Sequence, residues 1–215
     1  MRPLSRTILL SVLLTISATA TAGGLEDLEQ RIARTPPVST GFVEYRFSHL
    51  LKKPLRTAGK LEYRADGTLA RAVNDPYLEL TEVNDDTVRM QRGDKAPRTI
   101  PLQRAPQIRV LLGSFRALLE GKLTPLQNDF NVTLVEDAPR WTLTLEPKDA
   151  KLAKHLARIA VHGHGDHPFC LEATEPDGDG ALTLFVERDA APTGVQTRAA
   201  LETLCRAAPS ARTTP

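Results

Sequence analysis

The chain of 215 residues is 41% hydrophobic and 25% charged, with 28 basic and 26 acidic side chains. This length fits one domain with its own hydrophobic core, and no Gly/Ser-rich linker or repeat of fixed period divides it. The small excess of positive charge argues against a nucleic-acid binder, which usually needs a surplus of Lys and Arg on one face.

The N-terminus has the pattern of a secretory signal peptide. Arg2 and Arg6 precede an apolar run of about 14 residues, and small residues follow where a signal peptidase would cleave. This run is shorter than the roughly 20 residues of a membrane-spanning helix. We therefore predict a signal peptide at 1–22, whose removal leaves equal numbers of basic and acidic residues. The predicted domain spans 23–205, and 206–215 is predicted to be a disordered tail.

Short segments of alternating apolar and polar residues dominate the rest of the chain. After a predicted amphipathic helix at 25–34, Val43, Tyr45 and Phe47 alternate with polar residues, as in a half-buried strand. Further alternating segments follow, separated by Asp, Gly, Asn or Pro. The sequence predicts an α+β fold of about ten antiparallel strands with two or three helices.

One segment in the middle of the chain, residues 106–120, has the apolar spacing of an amphipathic helix. With one long apolar helix available, the economical arrangement is a single strongly curved sheet that forms an unclosed β-barrel with helices as a lid. Such a sheet encloses an apolar cavity. The predicted lid residues are Ile108, Leu111, Leu112 and Phe115. The sheet residues predicted to line the cavity are Val43, Tyr45, Phe47, Leu61, Tyr63, Leu69, Val73, Leu78, Leu80, Val88, Met90, Trp141, Leu143 and Leu145.

The chain has two cysteines, Cys170 and Cys205. An exported protein folds in an oxidising compartment, where disulfides persist. We therefore predict a disulfide between the two residues, and the alternative is a pair of free thiols.

Four features of the predicted sheet point to one family. The strand VSTGFVEYRFS follows the first helix, Gly59 and Pro76 bracket a strand pair, VNDDTVRM has the pattern of a hairpin, and WTLTLEPKDAKL leads from a strand into a short helix. In this order they resemble the periplasmic outer-membrane lipoprotein carriers, the LolA family. The resemblance covers roughly residues 25–188.

The resemblance implies a periplasmic protein of a Gram-negative bacterium. Such a carrier binds the acyl chains of a lipoprotein in its cavity and shuttles the lipoprotein from the inner to the outer membrane. It also implies a monomer that uses no cofactor and binds no nucleic acid. Besides the lipidated cargo, the implied partners are an inner-membrane extraction complex and an outer-membrane acceptor.

Three positions depart from the family pattern. The arginine that holds the lid shut in the family is Ala65 here, and Arg64, one residue earlier, would face the other side of a strand. In the first strand, this chain has Tyr45 where the family has a glutamine. In the strand before Pro76, it has Arg71 where the family usually has an aromatic residue. These departures favour, as the alternative, a carrier of another lipid, such as an aryl-polyene or a lipid pigment in an envelope biosynthesis pathway.

The segment HGHGDH carries His162, His164 and His167 with the spacing of metallo-β-lactamase-like hydrolases. A catalytic zinc needs about three protein ligands, and these enzymes take further ones from downstream, where this chain has no histidine. We therefore predict a Gly-rich turn between two strands with at most weak metal affinity, and no enzyme. The rival function classes are a zinc-dependent hydrolase and an interaction protein with a filled core.

Overall fold

The computed structural model of the protein describes residues 23–104, 110, 113, 116–194 and 196–207. The predicted signal peptide lies outside the described residues, as do residues 208–215 of the predicted tail. The predicted lid residues also lie outside them: Ile108, Leu111, Leu112 and Phe115.

Within the described residues, eleven β-strands form one antiparallel sheet. They are β1 (Val38–Phe47), β2 (Leu55–Tyr63), β3 (Leu69–Asp75), β4 (Glu79–Val83), β5 (Thr87–Arg92), β6 (Arg98–Pro101), β7 (Phe130–Asp137), β8 (Arg140–Pro147), β9 (Arg158–His164), β10 (His167–Thr174) and β11 (Gly180–Leu184). Their order in the sheet is β6-β5-β4-β3-β2-β1-β11-β10-β9-β8-β7, so β6 and β7 are the two edges. The prediction of a single antiparallel sheet in an unclosed barrel with helices is confirmed, with eleven strands instead of about ten.

Short helices accompany the sheet in the described part of the chain. The α-helices are α1 (Gly23–Ile32), α2 (residues 116–120), α3 (Ala150–Ala153) and α4 (Arg198–Arg206). Residues 110 and 113, ahead of α2, are also helical, as the apolar spacing predicts. Single 3₁₀ turns occur at Leu102–Arg104, Thr124–Asn128 and Arg188–Ala190. Among the described residues, no helix is both long and apolar enough to span a membrane.

The inner face of the sheet is the face that carries Leu61 and Trp141. Directly paired residues of neighbouring strands point to the same side of a sheet. The strand register therefore identifies the other residues of the inner face, starting from Leu61 and Trp141. Along β7 to β10 the inner face is packed by α1, and Leu28, Leu143 and Leu145 there are fully buried, at 0% exposure. Around these leucines, this half of the inner face is therefore solid core.

The outer face carries Val43, Tyr45 and Phe47, which pack with Leu182 and Leu184 beneath α4. The predicted position of these three residues in the cavity is therefore wrong. Phe42 and Val43 are 1% and 0% exposed, so β1 is covered on both sides. A strand buried on both faces has no clean alternation of apolar and polar residues, and its inner side cannot be recognised from the pattern.

Leu78 and Leu80 are also misplaced by the sequence pattern. Leu80 pairs with Ala72 on the outer face, whereas Thr81 and Val83 of the same strand point inward. Leu78 precedes β4 and is 65% exposed. The polar Thr81 therefore takes the inward position that the apolar pattern assigns to its neighbour.

A C-terminal helix that the sequence analysis did not anticipate covers the outer face. In α4, Leu201 is fully buried against the sheet, and Thr197 caps the helix by accepting the Ala200 N–H over 3.2 Å. Cys205 of this helix forms a disulfide with Cys170 of β10, with the two Cα atoms 5.5 Å apart. The disulfide thus joins the last helix to the sheet.

The HGHGDH segment is the turn between β9 and β10. The Trp141 indole lies against Gly163, and a Cβ atom at position 163 would come within 2.0 Å of the ring. The indole N–H donates to the carbonyl of Gly165 over 3.0 Å, and Gly165 has a φ of +60°, which glycine adopts without strain. The glycines of the segment are therefore explained by the packing of Trp141 and by the turn.

Gly163→Ala is expected to lower the free energy of unfolding by about 2–3 kcal/mol, because Trp141 is 2% exposed and has little room to move. Gly165→Asn is the matched control, since asparagine tolerates a positive φ and open space surrounds that position. Denaturant titration of both variants measures the difference. Equal stabilities would contradict the packing account.

Candidate functional site

A cavity of about 480 Å³ lies on the inner face. This volume is within the range of about 300–1,000 Å³ typical of ligand sites in proteins. Its wall is mostly apolar and includes Ile32, Phe42, Leu61, Leu69, Trp141 and Phe185. Leu118 and Leu119 of α2 close one side of it. The cavity can therefore bury an elongated apolar group.

The cavity exists because the two halves of the inner face are covered differently. Along β7 to β10, Leu28 and Ile32 of α1 fill the space together with Leu152 and Leu156 from the region of α3. Along β1 to β4, the residues that face inward include Leu61 and Leu69, which stay only half-buried. Leu118 and Leu119 of α2 cover only part of that half, so some of its apolar surface faces open space.

The predicted cavity residues fall into three groups. Leu61, Leu69 and Trp141 line the cavity. A second group faces inward by register but does not line the cavity: Tyr63, Val73, Val88, Met90, Leu143 and Leu145. The third group belongs to the outer face or to solvent: Val43, Tyr45, Phe47, Leu78 and Leu80.

Several lining residues were missed by sequence reasoning. Phe42 comes from a strand that is buried on both faces. Phe185 lies just beyond the end of β11. The signal that could have identified them is the register with Leu61 and Trp141, which requires the strand pairing.

A cluster of polar side chains fastens α2 to the sheet. Arg116 donates from Nε to Glu120 Oε1 over 2.9 Å and to the Tyr63 hydroxyl over 3.1 Å, and from Nη1 to Asp85 Oδ1 over 2.6 Å. The Tyr63 hydroxyl donates to Glu120, and Lys122 Nζ lies 2.8 Å from Glu120 Oε2. Burial acts to raise the pKa of Glu120, but the hydrogen bonds from Lys122, Tyr63 and Arg116 outweigh it and hold the pKa at about 2.

The arginine of this cluster belongs to the helix, not to the sheet. Arg64 instead pairs with Glu82 over 2.8 Å and with Glu62 over 3.5 Å on the outer face. The lid-latch role that the family gives to a sheet arginine therefore does not pass to Arg64. Here the arginine that joins helix and sheet is Arg116 of α2, which contacts Tyr63 of β2.

Glu120→Gln is expected to lower the free energy of unfolding by about 1–3 kcal/mol at pH 7. The folded-state pKa of Glu120, about 2, lies below its ordinary value of 4.5. The stabilisation is therefore complete above pH 4.5 and is lost as the pH falls toward 2. Denaturant titration between pH 7 and pH 2.5 measures it.

The variant should show a shallower loss of stability than the wild type below pH 4.5, since the titrating group is gone. Glu202→Gln is the control, because the Glu202–Arg206 pair lies on the surface of α4 at 3.5 Å. Parallel pH profiles for the wild type and Glu120→Gln would contradict the assigned pKa.

One end of the cavity carries a pair of opposite charges. Arg71 Nη2 donates to Glu44 Oε1 over 3.0 Å and to Thr57 Oγ1 over 3.3 Å, and its guanidinium lies 4.7 Å from the ring centroid of Phe42. Glu44 Oε2 accepts a hydrogen bond from the Thr183 hydroxyl over 3.3 Å. These contacts hold both charged groups in fixed positions on the cavity wall.

The three histidines of the HGHGDH segment do not come together as metal ligands. His162 is buried, with Nδ1 3.0 Å from the Thr142 hydroxyl and Nε2 3.1 Å from Glu172 Oε1. His164 and His167 form a cross-strand pair at the turn, and His167 contacts Asp166. In the part of the chain that the structure describes, the one candidate group of three metal-ligating side chains lies elsewhere and consists of His49, Asp177 and Asp179.

A model of the family described as outer membrane lipoprotein carrier protein LolA-like matches residues 17–208. The chain belongs to this LolA-like family. Members of the family are carrier or binding proteins rather than enzymes, and they are generally extracytoplasmic. The family explains the unclosed sheet with its helices. No protein of curated function matches this LolA-like chain in sequence.

Several solved structures are similar to this LolA-like protein. A LolA superfamily protein from Nitrosomonas europaea has 7% sequence identity and a TM-score of 0.39, with 74% of this chain and 90% of that chain covered. LprF from Mycobacterium bovis has 12% identity and a TM-score of 0.34, covering 80% and 96%. MucB, which forms a complex with MucA in Pseudomonas aeruginosa, has 13% identity and a TM-score of 0.37. The match covers 85% of this chain and 65% of MucB, which is less than two thirds of its length. At these identities the similarity concerns the fold alone.

Proposed function

We propose that this LolA-like protein is a periplasmic carrier that holds the acyl chains of a lipoprotein and shuttles it from the inner to the outer membrane. The observation that supports this function best is the apolar cavity of about 480 Å³ on the inner face, which is lined by β1 to β4, by β8 to β11 and by α2. An acyl chain is the common ligand that is both long and apolar enough to need such a cavity. The cavity residues that contact it in this proposal include Leu61, Leu69 and Trp141.

Burial of an acyl chain supplies the binding energy. Each methylene removed from water contributes about 0.8 kcal/mol, so a chain of about 16 carbons has an upper limit of roughly 13 kcal/mol. A cargo held this strongly would leave too slowly for a shuttle. The carrier therefore needs a competing closed state, in which Leu118 and Leu119 of α2 pack into the emptied cavity and lower the net affinity.

The partners of such a carrier follow from its energetics. Loading requires an inner-membrane extraction complex that supplies free energy, and unloading requires an outer-membrane acceptor with higher affinity for the cargo. Neither step needs a cofactor on the carrier itself.

Mass spectrometry of the protein purified from the periplasm, with lipids and lipopeptides extracted from the complex, tests the proposal. We expect a stoichiometric acylated lipopeptide after proteolysis of the bound fraction. Purification free of any lipid, from cells that export and process lipoproteins normally, would count against a carrier.

The second candidate is a carrier of another lipid of envelope biosynthesis, such as an aryl-polyene or a lipid pigment. The observation that favours it is the charged pair of Glu44 and Arg71 inside the cavity, since these side chains leave less room for several plain acyl chains. Recovery of a lipid without an attached peptide in the same extraction would select this candidate.

A further inference from the structure

The positive charge of Arg71 in the cavity is already paired with carboxylates of the protein itself. Arg71 lies 3.0 Å from Glu44 and 3.8 Å from Glu79, so two carboxylates already share one guanidinium. Glu79 has a further partner in Arg92, at 3.8 Å. The Arg71 and Glu44 side chains are only 28% and 26% exposed, so solvent screens their interactions weakly. This end of the cavity therefore presents polarity without a surplus of positive charge.

A ligand with an anionic head group would find no unpaired positive charge at this pair. A fatty-acid carboxylate or a phosphate would bring another negative charge to a guanidinium that Glu44 and Glu79 already neutralise. An uncharged group meets no such cost. An ester or amide carbonyl can accept from the guanidinium, which has five N–H donors, and an amide N–H or hydroxyl can donate to Glu44.

We propose that the Glu44–Arg71 pair selects acyl chains by their head group, admitting uncharged ester, amide and hydroxyl linkages and rejecting free fatty acids. This inference rests on the proposed function as an acyl-chain carrier and specifies its ligand class. The chains of a lipid-modified protein are joined through uncharged linkages of this kind. The pair thereby separates such cargo from free fatty acids.

Direct binding of two probes with the same acyl chain, palmitate and monopalmitoylglycerol, tests the inference at pH 8. We expect the wild-type mature protein to bind monopalmitoylglycerol about tenfold or more tightly than palmitate. In Glu44→Gln, the guanidinium is free to pair with a carboxylate, so palmitate should gain about tenfold while monopalmitoylglycerol changes little. Arg71→Met should weaken palmitate binding further, because Glu44 then lacks its partner.

Glu62→Gln is the matched control, since Glu62 is a neighbouring carboxylate on the outer face, paired with Arg64. It should leave the preference unchanged. A wild type that binds both probes equally, or a preference that survives Glu44→Gln, would overturn the inference and leave the carrier function standing. Failure of the wild type to bind either probe would overturn both.

Discussion

Leu61→Asp is expected to lower the affinity of the protein for an uncharged acyl probe by about 100-fold or more. Leu61 is half-buried, lines the cavity and points inward from the middle of the sheet. A carboxylate at this position would have to lose its hydration when an acyl chain enters, and the chain offers it no hydrogen bond. Titration with monopalmitoylglycerol measures the change.

Leu80→Asp is the matched control for this prediction. Leu80 is also a half-buried leucine in the sheet, but it points to the outer face. Its replacement should leave affinity within about threefold of the wild type, because a change outside the site alters binding only through stability. Equal losses of affinity in the two variants would show that the inner face has no special role in binding.

Replacement of both Cys170 and Cys205 by serine is expected to lower the free energy of unfolding by about 4 kcal/mol. The disulfide links residues 35 apart in sequence, and the cross-link removes much of the conformational freedom of that loop in the unfolded chain. It also holds α4 against Val43 and Tyr45 on the outer face. Denaturant titration of the wild type and the double variant measures the change.

Addition of a reductant to the unfolded state offers a control without mutation. The reduced wild type should refold to about the stability of the double variant, since both lack the cross-link. Acyl binding should survive at low denaturant, because the disulfide lies on the outer face and the cavity on the inner one. A double variant as stable as the oxidised wild type would contradict the account.

Local periodicity was sufficient to predict the strands, whereas the single sheet also depends on the pairing of β1 with β11, which are distant in sequence. Alternating segments identify the strands, and short turns between them favour an antiparallel meander. The same pattern puts Leu61 and Trp141 on the inner face, where they line the cavity, since both belong to segments with polar residues on the other side. The helical spacing at 106–120 likewise agrees with the helical residues that the structure describes.

The alternation of apolar and polar residues could not predict which side chains line the cavity. In β1, Phe42 and Val43 are both buried, so only the pairing with β2 and β11 shows which of them faces inward. Leu143 and Leu145 face inward, yet α1 fills the space in front of them. Whether an inward residue lines a cavity or a solid core depends on a contact distant in sequence. The Glu44–Arg71 pair depends on the same strand pairing.

The central claim is that an acyl chain occupies the inner face, and the single tryptophan of the chain gives the most direct test. Trp141 lines the cavity and is only 2% exposed to water. A monoacylglycerol with a nitroxide on its acyl chain should quench Trp141 fluorescence saturably, with one chain per protein. A water-soluble nitroxide should quench it weakly. Absence of saturable quenching, or equal quenching by both compounds, would contradict an acyl chain in this cavity.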